Sequence, residues 1–220
     1  MFKKDLKRIL FLDVDGVLDS LPYFKSRLYK LLVKKSGKED MSNMISRYNL
    51  FWVGLLCRIT HSDVVMSSTW KFGWNEDGTV NMDHKGRNMA ETDKLLRRFG
   101  VNLISVTRKG KLQLNKNYDL DENTLKAWCD RPFISGITAS DKREQVLTYG
   151  RGTQIYDWLE RNKFTGKFLI LDDDIDDIII YKDLAKRLVH TSYYKGIGGF
   201  GFRHFVKAIL FFLKQEKFSA

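Results

Sequence analysis

Two aspartates one residue apart, Asp13 and Asp15, close a short apolar run and are followed at once by Gly16. Residues 9–12 read as a buried strand, and such uninterrupted apolar runs suit the middle of a parallel sheet. Carboxylates are costly to bury unpaired, so the two acids belong at the carboxyl end of that strand, where open α/β sheets bind ligands. Side chains at i and i+2 of a strand face the same way, so both acids can address one point. That is the arrangement of a nucleophile beside a general acid, with a metal between them. A second apolar run, residues 168–171, ends in Asp172, Asp173 and Asp174, with Asp176 and Asp177 close behind. If the two strands are neighbours, the acids repel one another unless a cation joins them. A hard divalent ion with oxygen ligands suits the set, and Mg2+ typically takes one or two carboxylates plus substrate phosphate. A lone acidic strand end is more often a solvated turn or helix cap. Two of them on buried-type strands favour a metal site.

Between them residues 64–66 end in hydroxyls, Ser67, Ser68 and Thr69, followed by Trp70. A serine here can donate to a phosphoryl oxygen without adding negative charge, although Ser and Thr are also ordinary turn and cap residues.

The order of these motifs resembles the haloacid dehalogenase (HAD) superfamily of phosphotransferases. The DxDGxx motif matches Asp13-Val14-Asp15-Gly16-Val17-Leu18. The strand ending in Ser or Thr matches Ser67, and the strand ending in paired acids matches Asp172 and Asp173. Within that superfamily, residues 64–70 and 151–174 look like HAD domains of RNA-repair proteins and are similar to the phosphatase domain of phage polynucleotide kinase. The resemblance implies a Rossmann-like α/β fold, a central and mainly parallel sheet flanked by helices, with a small helical cap or insertion. It also implies phosphomonoester hydrolysis with Mg2+ through an aspartyl-phosphate. Asp13 would be the nucleophile and Asp15 the acid–base. Ser67 and Arg151 would hold the phosphoryl oxygens. The metal would lie on Asp13, Asp15 (through its carbonyl), Asp172 and Asp173. The chain departs from the pattern at the third motif, usually a lysine before the acidic strand. Arg151 stands there, with Lys142 and Arg143 further upstream as alternatives. Arginine can take the role because its fork holds phosphate and stays charged. The lesser alternative for Arg151 is an ordinary solvated surface cation.

The elements that must position these groups are legible in outline. The 220 residues are 43% hydrophobic with two prolines, enough for one sizeable core. No linker-like or low-complexity stretch divides them, so one domain over 1–220 is expected. A cap has room in 20–48 and an insertion in 107–150. Ser20 with Pro22 predicts a helix start, with Phe24, Leu28, Leu31 and Leu32 on one face. Met44, Tyr48, Phe51, Leu55 and Ile59 make a second stripe read as core. Asn88 and Glu91 predict a capping box opening a helix to Phe99, with Gly100 ending it. Residues 101–106 read as a strand, 133–138 as a further candidate strand, 153–162 as a helix, and 205–213 as a helix packed on the sheet. Gly196, Gly198 and Gly201 match GxGxxG in form only. With no βαβ unit after them they predict a flexible loop, not a dinucleotide site, which can approach the phosphate site.

Composition also excludes several classes. Cys57 and Cys129 have no paired spacing and read as reduced core thiols. The scattered histidines argue against a His-based metal site or triad. No run reaches transmembrane length and no signal peptide is evident. A soluble, cytoplasmic protein with no membrane contact and no obligate protein partner is expected. The balance of 38 Lys and Arg against 27 Asp and Glu gives a net charge of +11. Cations gather in 25–38, 109–116, 142–151 and 182–195. With Trp70, Phe72, Trp74, Tyr193 and Tyr194 near the strand ends, that suits single-stranded nucleic acid. Solubility and core packing explain the same residues more blandly. The expected substrate is therefore a phosphorylated nucleic-acid end, a 3′-phosphate by resemblance to the repair group, bound with help from Ser68, Thr69, Trp70 and Lys142. A free nucleotide or other small phosphate is the alternative. A nucleic-acid-binding module without turnover is a third reading, which the presence of both Asp13 and Asp15 opposes.

Overall fold

The computed structural model describes residues 8–36, 41–83, 89–108, 119–130, 139–175, 177–196, 198–214 and 218–219. Five parallel strands form the frame in the order β3-β2-β1-β4-β5. They are β1 (Arg8–Leu12), β2 (Asp63–Met66), β3 (Leu103–Val106), β4 (Thr165–Asp172) and β5 (Leu188–His190). A two-residue strand, β6 (Phe218–Ser219), adds antiparallel to the start of β4. The chain therefore has the Rossmann-like α/β fold that the resemblance implies. β1 is central, paired to β2 on one side and β4 on the other.

The apolar runs follow from burial on both faces. Leu10 and Leu12 of β1 join Val64, Met66, Leu169 and Leu171 in one core layer. Ile9 and Phe11 join Val65, Phe168 and Ile170 in the other. The first layer is covered by α4 (Arg47–Thr60), α5 (Met89–Arg98) and α10 (Phe202–Lys214). The second is covered by α6 (Glu122–Cys129), α7 (Ala139–Tyr149), α8 (Arg151–Arg161) and α9 (Lys182–Ala185). Three short helices, α1 (Leu21–Lys25), α2 (Arg27–Ser36) and α3 (Met41–Met44), lie between β1 and α4. Ser20 caps α1 by accepting from the Tyr23 N–H, and Pro22 sits in its first turn. β3 and α8 begin two residues away from the expected starts, and α8 takes in Arg151. Asn88, residues 133–138 and Asp176 lie outside the described residues.

Two stripes face the other way from the expectation. On α4, Tyr48, Phe51 and Ile59 are about half exposed (49%, 48% and 53%). Leu50, Val53, Leu56 and Cys57 are the buried set. The helix is apolar on most sides, so periodicity alone does not choose. Close approach does: a side chain at Gly54 would meet the Phe99 carbonyl oxygen at 2.0 Å, which turns that side inward. Leu28 and Leu31 of α2 are likewise exposed. Cys57 and Cys129 are buried free thiols. Among the described residues no helix is long and apolar enough to cross a membrane.

Trp158 of α8 ties the second layer together. It is fully buried, packs edge-on against Phe11 at 5.5 Å and donates from Nε1 to Ser105 Oγ at 2.9 Å. Replacing it with alanine should cost ~3–5 kcal/mol in urea unfolding. Trp158→Phe should cost less, because a ring still fills most of the space. Equal losses for the two variants would show that the hydrogen bond, not the packing, carries the stability.

Candidate active site

The five strands end at one edge, and their ends are stitched together by backbone bonds. Asp13 N donates to the Leu171 carbonyl at 3.0 Å, Ser67 N to Leu12, Thr107 N to Met66, and Thr191 N to Asp172, each of these at 2.9 Å. The first motif, the hydroxyl motif and the acidic motif therefore meet because β2, β1 and β4 are neighbours in register.

At that edge Asp13, Asp172 and Asp173 offer carboxylate oxygens that all lie within 4.8 Å of one another. Asp13 and Asp172 are buried. Gly16 makes the approach of Asp173 geometrically allowed. Its φ is +71°, a left-handed turn favouring glycine, and a Cβ there would sit 2.1 Å from Asp173 Cγ. Asp15 is held from the β2 side, where the Trp70 indole Nε1 donates to its Oδ1 at 3.2 Å. Trp70 belongs to a 3₁₀ turn, Thr69–Gly73, capped by Ser68, whose Oγ accepts from Trp70 N at 3.3 Å. Its ring is buried, as is that of Trp74, so neither ring offers a face for a base. Phe72 and Tyr194 are exposed.

Arg151 supplies the positive charge. Its Nη1 lies 2.5 Å from Asp172 Oδ2 and 3.3 Å from Asp13 Oδ2. The start of α8 is fixed where it must be. Gly150, the cap residue, has no side chain to contribute, and Asp177 Oδ2 accepts from Arg151 N at 2.5 Å instead. A carboxylate at a helix N-terminus is favoured by the exposed amides and the helix dipole. Lys142, the other candidate, is buried on α7, and its Nζ donates to the Cys129 carbonyl at 3.1 Å at the end of α6. Arg143 forms an exposed fork with Glu122.

The electrostatics follow from burial. Desolvation raises the Asp13 carboxyl above its ordinary range, against the pull of Arg151 and the Ser68 hydroxyl. It raises Asp172 further, again opposed by Arg151, and drives Asp173 up to about 6 with help from the Asp13 charge. Burial works against the Arg151 charge too, but Asp172 and Asp13 outweigh it and hold the guanidinium protonated. One guanidinium among these acids leaves a net negative pocket. Asp13 Oδ1 and Ser67 Oγ are both buried with no hydrogen-bond partner among the described residues. Buried polar atoms without partners are uncommon in folded proteins. An orphaned carboxylate oxygen, oxygen-only donors and repelling acids fit a hard divalent cation, and an orphaned hydroxyl beside them fits a phosphoryl oxygen.

One residue of this centre has no counterpart in the motif analysis. Asp19 is buried, and its Oδ1 accepts from Gly16 N at 2.8 Å, holding the glycine turn closed. The signal was a third acid three residues beyond the glycine, overshadowed by Ser20 as a helix cap. Burial pushes its carboxyl up to about 8, partly countered by the Gly16 N–H and reinforced by Asp15 and Asp13. The native state thus holds this proton more tightly than the unfolded chain does. Stability from Asp19 is full below the ordinary carboxylate range near 3.8 and is lost as pH rises towards about 8. Asp19→Asn keeps an acceptor for Gly16 without titrating. In chelator-treated protein its thermal midpoint should exceed that of the parent by a margin that grows from about pH 5 to about pH 8. A margin constant with pH would refute the assignment.

Comparison with curated proteins returned no match, and neither did comparison with solved structures. A family of HAD domains matches the chain over residues 9–198, from the first strand through the acidic strand to the glycine loop. That span takes in every residue of the catalytic edge described above, and the chain belongs to this family, the HAD domain in Swiss Army Knife RNA repair proteins, as a HAD-type phosphatase.

Proposed function

We propose that the chain is a Mg2+-dependent phosphomonoesterase that removes a terminal phosphate, the 3′-phosphate, from nucleic acid through an aspartyl-phosphate. The observation that carries the chemistry is the convergence of Asp13, Asp172 and Arg151 beside an unpartnered Ser67 hydroxyl. Asp13, Asp172, Asp173 and the Asp15 backbone carbonyl would hold the metal, which when bound neutralises the acids and polarises the phosphoryl group.

The chain's own groups perform the remaining steps. An oxygen of Asp13 attacks phosphorus, forming the O–P bond of the aspartyl-phosphate as the P–O bond to the substrate breaks. The leaving oxygen takes a proton from the Asp15 carboxyl, so the sugar departs as an alcohol. Water then attacks phosphorus and gives a proton to the Asp15 carboxylate, releasing inorganic phosphate and restoring Asp13. Trp70 keeps Asp15 oriented for both transfers. Ser67 and Arg151 hold non-bridging oxygens and stabilise the charge that gathers there. Helices α1–α3 follow the Asp13 loop directly and serve as the small cap of a single domain. Ser68 and Thr69 border the phosphate through the 3₁₀ turn.

The substrate reading rests on the family, on a net charge of +11 and on the location of several acids inside the site, which leaves the outer surface more basic still. The buried rings of Trp70 and Trp74 favour the second reading, a soluble nucleotide or small phosphate, since they remove two expected stacking faces. An intracellular setting suits two free buried thiols.

Phosphate release should be measured with Mg2+ from a 3′-phosphorylated oligonucleotide, a 5′-phosphorylated one and a mononucleotide panel. Release from the 3′ end is expected, and Asp13→Asn should lower kcat at least ~1000-fold while its unfolding curve stays that of a folded protein. Near-normal turnover by that variant removes the nucleophile, and preference for mononucleotides replaces the substrate. Metal binding has its own readout. Mg2+ should raise the thermal midpoint of the chelated protein, as a ligand of the native state must, and Asp172→Asn should abolish most of that rise. An undiminished rise in the variant places the metal elsewhere.

A further inference from the structure

Beyond the acids, the loop after β5 builds a second concavity. A cavity of about 570 Å³ is bordered by Ser192, Lys195, Arg203, His204, Tyr48 and Phe202, with four glycines in its wall. That volume exceeds what a bare phosphate needs and falls in the range of sites for nucleotide-sized ligands. Lys195 and Arg203 are exposed, and neither forms an ion pair with another described residue. Gly196 and Gly198 are left-handed, with φ of +65° and +68°, and a Cβ at Gly196 would meet nothing within 4 Å, so the backbone there is bare. α10 begins at this wall, and the first amides of a helix have no acceptor within it. His204 Nδ1 accepts from Gly201 N at 3.2 Å, which leaves Nε2 as its donor. Thr191, next to Ser192, carries a buried hydroxyl with no partner among the described residues. Tyr48 and Phe202, which also line the cavity, are about half exposed aromatic rings. They flank Trp52, at centroid distances of 6.3 Å and 5.3 Å.

The loop that lines the cavity is fastened to the catalytic edge. His190 Nε2 lies 3.1 Å from the Asp173 carbonyl oxygen. Leu21 N donates to the Tyr193 carbonyl at 3.0 Å, and Phe200 N to the Val17 carbonyl at 2.8 Å. Asn49 Nδ2 donates to the Gly198 carbonyl at 2.9 Å. Burial raises the Tyr193 phenol, and the Asp19, Asp15 and Asp173 charges add to it, so this residue of the loop lies within electrostatic reach of the acids. The loop that borders the cavity is thus bonded directly to the segment that follows Asp13 and to Asp173.

We propose that this cavity is a second nucleotide subsite. Lys195, Arg203 and the leading amides of α10 take an internal phosphodiester of a single-stranded polynucleotide, and Tyr48 and Phe202 take its base. The inference rests on the reading of the Asp13 site as one that works on nucleic-acid ends, and it deepens that reading by giving the site a grip on the rest of the strand. Cations that track the backbone and rings that accept any base give binding without sequence preference.

Binding should be measured by fluorescence anisotropy with a labelled single-stranded oligonucleotide bearing hydroxyl ends, which offers nothing to hydrolyse. Lys195→Ala/Arg203→Ala should weaken binding about tenfold or more and lower the slope of log affinity against log salt by about 1.4, the value for two lost contacts on a single strand. Lys195→Gln/Arg203→Gln should do the same, and matching thermal midpoints for the variants exclude misfolding. Tyr48→Ala should weaken binding about tenfold with the salt slope intact, since stacking carries no counterions. In hydrolysis, the ratio of kcat/KM for a 3′-phosphorylated oligonucleotide to that for p-nitrophenyl phosphate should fall about tenfold in the double variant. Unchanged affinity and slope in the double variant, or no measurable binding by the parent, overturn the subsite even if the parent releases 3′-phosphate. Binding that depends on Lys195 and Arg203 without phosphate release from any oligonucleotide supports the subsite and overturns the phosphatase reading instead.

Discussion

Like charges confined in a dry place are the constraint around which this molecule is arranged. Asp13 and Asp172 are buried side by side, and burial alone would keep such groups protonated and chemically idle. Arg151 opposes that, and much of the surrounding structure exists to bring Arg151 there. Asp177 fixes the first amide of α8, and the same helix is anchored through Trp158 into the second core layer, against Phe11 of β1. Thr153, two residues after Arg151, shares a hydrogen bond with the buried Tyr181 hydroxyl at 2.6 Å. Gly152 permits this contact, since a Cβ there would lie 2.6 Å from the Tyr181 ring. Charge at the centre is thus supported by packing at a distance, which is how a buried ion pair is held in one geometry.

The cluster at the strand ends is largely legible in the sequence because its groups are local in sequence. Acids at strand ends, glycine after them and hydroxyls after a third strand each occupy a few consecutive residues. The parallel register of β2, β1 and β4 then makes them neighbours, with no long-range information beyond strand order. Asp19 was less visible because its role is a hydrogen bond to a turn, and its type is equally at home as a surface acid. Trp70 shows a related limit. An aromatic near a strand end reads as a platform, whereas the 3₁₀ turn aims its indole N–H inward at Asp15.

The helical stripes show a different limit. α4 is apolar on most of its surface, and the sequence pattern cannot say which arc faces the sheet. Gly54 decides it, because only that side lets the Phe99 backbone come close. The decision is a matter of volume between two elements, and neither element carries it alone. The same reasoning explains why Tyr48 is free to border the cavity: the arc left outside is the one carrying the larger rings.

The contact between Gly16 and Asp173 has a consequence for when the protein acquires its chemistry. The two residues follow β1 and β4, strands far apart in the chain, and their contact forms only when both strands lie together. In chain order the Asp13 loop comes first, and it lacks Arg151 and the acids of the β4 end until β4 has been made and lies beside β1. The cluster of acids around Arg151 is complete only once the sheet has closed.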